Sequence, residues 1–147
     1  MTIDEEVIRA RLVRLTNHIE RVEKKRPYPL NLLLTDRDTQ DIVSHNLEKA
    51  VQLCVDIASH LCAAHGRALE TAGESFLTLA ELGLIEKNLA EKLISAVGFR
   101  NVSVHEYADV DWNVVMRIVD DGLQDLKDFG RWASTLVAEA PPRESRN

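Results

Sequence analysis

Arg100, His105 and Tyr107 fall within the eight-residue stretch Arg100-Asn101-Val102-Ser103-Val104-His105-Glu106-Tyr107. The stretch combines a permanent cation, the one side chain that exchanges protons near neutral pH, and a phenol. These groups can act on a phosphodiester, with arginine neutralising the phosphate and histidine moving a proton. At about 100° per residue, a regular helix sets Arg100 and Tyr107 on one face and turns His105 roughly 140° away from Arg100. For the pair to meet on one phosphate, the helix must loosen after Arg100 or a second chain must complete the site. Asn101, Val102, Ser103 and Val104 are mediocre helix formers, which permits loosening. The architectural alternative makes Arg100 a cap on helix-end carbonyls, His105 a satisfied half-buried histidine and Tyr107 an interface aromatic.

The elements that must position this cluster read as helices. Ile8, Leu12, Leu15, Ile19 and Val22 alternate in fours and threes, predicting an amphipathic helix over 3–24. Lys24-Lys25-Arg26 suits its C-terminus, where cations complement the dipole, better than it suits a phosphate-binding patch. Pro27 and Pro29 predict a connector reaching to Leu34, whose leucines tuck against the bundle. Thr35-Asp36-Arg37-Asp38 supplies N-cap candidates for a second helix that ends at about Ala64, before Gly66. Two stripes adjoin on that helix: Leu47, Ala50, Cys54, Ile57 and Leu61 beside Val51, Val55, Ala58 and Cys62. So wide an apolar arc implies burial on two sides, either at the centre of one bundle or between two copies of the chain. Asp56, Ser59 and His60 interrupt it, and a partly buried Asp56 needs a partner, for which Arg100 is a candidate.

Residues 66–74 read as an exposed loop, followed by a short helix on Phe76, Leu79 and Ala80 that stops at Gly83. A fourth helix, on Leu89, Leu93 and Val97, delivers Arg100 at its end. Asp109 or Asp111 can cap the last helix, whose stripe runs through Trp112, Val115, Val119, Gly122, Leu126, Phe129, Ala133 and Leu136, with Gly122 allowing close helix approach. The tail over 138–147, with Pro141-Pro142 and mixed charge, is expected to be disordered.

A chain of 147 residues with few aromatics and sparse Gly and Pro fits one all-α domain over 1–137, an antiparallel bundle of about five helices. No apolar run approaches membrane-spanning length and the start is acidic, so neither a membrane partner nor a signal peptide is expected, and the predicted location is cytoplasmic. Cys54 and Cys62, eight residues apart on one helix, are separated by about 12 Å of rise and cannot bridge each other. They read as reduced core thiols. A Cys62 and His65 metal pair finds no second pair with ligand spacing, so no metal and no cofactor is expected. The formal charge of −6 excludes a broadly basic nucleic-acid-binding surface but not a small basic site.

The R-x4-H-x-Y spacing of Arg100, His105 and Tyr107 matches the signature of the HEPN superfamily, and RNVSVHEY resembles HEPN toxins of the HepT type. The resemblance extends through DIASHL (Asp56 to Leu61), ESFLTLAELGLI (Glu74 to Ile85) and the closing helix from Trp112. It implies a HEPN-like bundle that dimerises, with two copies of the motif facing each other across a cleft. It also implies a metal-independent endoribonuclease toxin with RNA as substrate and Arg100 and His105 as catalytic residues. Asn101 and Asp56 are candidates to support the site. The implied partner is a MntA-type nucleotidyltransferase antitoxin that transfers AMP from ATP onto the motif tyrosine, here Tyr107. The alternative function is a non-catalytic helical subunit, regulatory or substrate, of such a nucleotidyltransferase. A third, a small-ligand binder at the helix junction, has no residue constellation of its own.

Overall fold

The computed structural model describes residues 3–24, 30–68, 71–105 and 111–137. Among these residues every regular element is helical: α1 (Glu5–Lys24), α2 (Leu30–Thr35), α3 (Arg37–Ala64), α4 (Ala72–Glu81), α5 (Lys87–His105), α6 (Trp112–Arg117) and α7 (Leu123–Ser134). α6 and α7 are joined without a break by a π-helical turn, Ile118–Gly122.

The all-α fold expected from composition and periodicity is the one found, with α3 as its axis. α1, α2, α4, α5 and α7 all pack on α3. Both apolar stripes of α3 are covered within the single chain, from Leu47 and Cys54 at 0% exposure to Val55 at 5%. The wide arc is therefore that of a central bundle helix, and none of it is left over for a second copy. Asp36 caps α3 as expected, accepting from the Thr39 N–H at 2.9 Å, and Gly66 takes a φ of +75° beyond the helix end.

Four expectations are corrected. The connector after Pro29 coils into α2, driven by the leucine run, and Leu33 is completely buried. The loop read over 66–74 is already helical at Ala72, because the Thr71 side chain caps the helix. The Thr71 hydroxyl accepts from the Glu74 N–H at 3.4 Å and donates to the Glu74 carboxylate at 3.2 Å. Gly122 is not the point of close helix approach, since a side chain there would meet only Ile118 of its own helix. That role belongs to Gly130, where an added Cβ would lie 3.2 Å from Leu15 Cδ2 on α1. Lastly, the core position in the closing helix is Leu123 rather than Gly122. Consecutive steps of four through Val115, Val119 and Leu123 require a wider turn than an α-helix gives, and the π turn supplies it through the Leu123 N–H to Ile118 C=O bond. Asp111 caps α6 by accepting from the Asn113 N–H at 3.0 Å, while Asp109 and the predicted tail lie outside the described residues.

Candidate active site

α5 carries the motif. Ala90, Leu93, Ala96 and Val97 bury its first three turns against the core and so fix the direction in which the remaining helix projects. The helix does not stop or loosen at Arg100, as its local propensities allowed, but continues to His105. Each helix-averse residue there costs at most about 0.7 kcal/mol, and extending a hydrogen-bond ladder already nucleated offsets so small a term. Cα positions 100 and 105 thus lie roughly 140° apart around the axis and about 7.5 Å apart along it. One α5 spreads the two positions over two faces, and the helix shows no local unwinding between them. Asn101 is also within α5; Tyr107 lies outside the described residues.

Asp56 is half-buried on α3, where its carboxylate accepts from Gln52 Nε2 at 2.8 Å. A neighbour one turn away on its own helix thus satisfies it. The expected Arg100 contact involves a side chain outside the described residues. His60, one turn on, ties down the other end of the fold: its Nε2 accepts from the Asp4 N–H at 3.0 Å at the start of α1. That bond requires the tautomer with its proton on Nδ1. His60 therefore reads as part of the scaffold.

One turn before the motif, α5, α6, the π turn and the start of α7 line an open cavity of about 330 Å³ that the sequence did not reveal. Leu93, Ala96, Val114, Ile118 and Leu126 form its apolar floor, and Lys92, Ser95, Arg117, Asp121 and Asp125 its polar rim. Asp125 is the most enclosed of the rim acids, with a side chain 18% exposed, and Lys92 Nζ stands 3.7 Å from its Oδ1. Burial nevertheless raises the Asp125 carboxyl above its ordinary value, outweighing the Lys92 charge. The spacing of Val115, Val119 and Leu123, which the stripe read from the sequence did not use, is a signal of the π turn but not of the cavity.

Residues 15–131 match the family profile described as Ribonuclease HepT-like. The chain is 33% identical over 95 residues to the mRNA nuclease HepT of Shewanella oneidensis, covering 64% of this chain and 71% of that one. It is 27% identical over 124 residues to the tRNA nuclease HepT of Aphanizomenon flos-aquae, covering 83% and 84% respectively. Among solved structures, the tri-AMPylated Shewanella oneidensis HEPN toxin in complex with MNT antitoxin superposes with a TM-score of 0.81 at 26% identity, over 88% of this chain and 97% of that one. A family match to four-fifths of the chain, with an overall fold shared with a solved HEPN toxin, means that this protein belongs to the HepT-like ribonuclease family.

Proposed function

We propose that the chain is a metal-independent endoribonuclease, the toxin of a bacterial toxin–antitoxin pair. His105 exchanges the proton of the attacking ribose 2′-hydroxyl or of the leaving oxygen, and Arg100 stabilises the charge that develops on the phosphate. A 2′-hydroxyl nucleophile restricts the enzyme to RNA. The observation that carries the reading is that a member of the HepT-like ribonucleases holds Arg100 and His105, at the motif spacing, on the last two turns of one helix.

Because those positions diverge around the axis, the working enzyme is a homodimer in which Arg100 of one copy and His105 of the other approach the same phosphate. Asn101 and Asp56 support the site. The antitoxin is a MntA-type nucleotidyltransferase that attaches AMP to Tyr107, placing bulk and negative charge next to the position the RNA phosphate must occupy. The relatives' toxin–antitoxin complexes support this partner. The protein acts in the cytoplasm; among the described residues no helix is long and apolar enough to cross a membrane.

Purified, unmodified protein is tested on total cellular RNA in EDTA beside Arg100→Ala and His105→Ala. Degradation by wild type alone is the expected outcome, with losses of at least about 10²-fold for removal of a proton-transfer group. Intact RNA in all three lanes overturns the nuclease reading and favours the non-catalytic partner subunit, which the net charge of −6 would suit.

A further inference from the structure

We infer that the cavity between α5 and the π turn is a base-binding subsite of the ribonuclease, taking a nucleobase with an exocyclic amine next to the cleaved phosphate and reading it through Asp121. The inference rests on the ribonuclease reading above and adds to it where sequence selectivity resides.

Position comes first. Lys92 and Ala96 line the cavity, and with position 100 they form one i, i+4 row of α5. Ala96 precedes that position by one turn, about 6 Å along the axis, which is within reach of the nucleotide adjoining a phosphate held there.

Chemistry comes second. A flat base needs apolar walls for its faces and a few aimed polar groups at its edge. Ala96, Val114 and Ile118 offer the former. Of the charged rim groups, Lys92 and Asp125 face each other, whereas Arg117 and Asp121 are exposed and their side chains make no ion pair or hydrogen bond among the described residues. A carboxylate and a cation that have no ion-pair partner among the described residues, at one cavity mouth, suit a nucleotide. The amine of the base donates to Asp121, and Arg117 meets a backbone phosphate. A phosphate alone would be repelled by the two acids, and uracil, which presents a carbonyl where cytosine presents an amine, would be disfavoured by Asp121. The rim charges cancel, so within an acidic chain this mouth is a locally neutral entry for RNA. A volume of about 330 Å³ is at the scale of small-ligand sites and does not admit a folded RNA element.

The test is fluorescence anisotropy with 2′-fluoro octamers of cytidine and of uridine, which lack the attacking hydroxyl and so report binding without cleavage. Wild type is expected to bind the cytidine octamer about tenfold more tightly, the order of one well-made base contact. Asp121→Asn, an isosteric change at an exposed position, should bring the ratio close to one, because an amide pairs with either base. Arg117→Gln should weaken both octamers alike and lower the salt dependence by about one counterion. Equal binding of the two octamers by wild type, or an unchanged ratio in Asp121→Asn, overturns the subsite. An unchanged ratio combined with lost self-association or lost nucleotidyltransferase binding overturns it in favour of a protein contact. If the octamer ratio behaves as expected but wild type cleaves no cellular RNA, the subsite stands and the catalytic reading fails.

Discussion

On the proposed function, Tyr107 separates the chemistry of regulation from that of cleavage. Phenylalanine keeps the ring and removes the phenol oxygen on which AMP is proposed to be placed. Tyr107→Phe is therefore expected to remain toxic when expressed and to escape neutralisation by the co-expressed nucleotidyltransferase, read as growth arrest and as loss of the mass added by ATP. If the nucleotidyltransferase still rescues growth, neutralisation works by binding alone. Asp125 offers a different kind of residue-level test. Its folded-state value is raised, so the unfolded chain releases the proton first, from about pH 3.8, the ordinary value. Stability is therefore lost as pH climbs from there through the raised folded value, and the deficit is complete above it. Asp125→Asn removes the deficit. Its melting temperature should exceed that of wild type at neutral pH, and the gain should vanish below about pH 3.8. A variant less stable than wild type at pH 7 would mean that the Lys92 pair outweighs burial after all.

Helix pairing turns on smaller things than the motif. α1 and α7 approach each other at Gly130, where the nearest obstacle to a side chain is the flexible end of Leu15. Lys127 of α7 and Glu23 of α1 form an ion pair that joins the same two helices. Gly130→Ala should cost little, since Leu15 yields by a few tenths of an ångström and alanine gains up to about 1 kcal/mol of helix propensity over glycine. Gly130→Val adds two methyls that cannot share that space and should cost about 1–3 kcal/mol. In a chain of this size that is a fall in melting temperature of about 2–4 °C per kcal/mol. Equal melting temperatures for the two variants would show that α1 and α7 are not in contact at this point. The same helix pair illustrates what periodicity conceals. Gly122 and Gly130 look alike in a linear stripe, and only the π turn, by adding a residue to one helical turn, rotates Gly122 off the core face and Leu123 onto it.

Across the whole molecule, one continuous core holds both thiols. Cys54 and Cys62 are fully buried, the Cys62 thiol donates to the Ser75 carbonyl at 3.4 Å, and burial raises both thiols above their ordinary range. A thiol reagent at pH 8 should therefore leave native protein unlabelled over minutes and modify both cysteines once a denaturant opens the core. Rapid labelling of Cys54 in native protein would mean that α3 opens independently of global unfolding.

The helices themselves were legible because they rest on local rules. Amphipathic spacing set α1, α3 and the closing rod, and Asp36, Gly66 and Asp111 marked their ends through short-range hydrogen bonds and a single φ angle. The motif was legible for a similar reason, since Arg100, His105 and Tyr107 are close in the chain. Tertiary structure alone decided two things: that both stripes of α3 are buried within one copy, and that Lys92, Arg117, Asp121 and Asp125 gather around a cavity. Both depend on how rods from distant parts of the chain pack, and packing energy is spread over many weak contacts that no window of sequence contains.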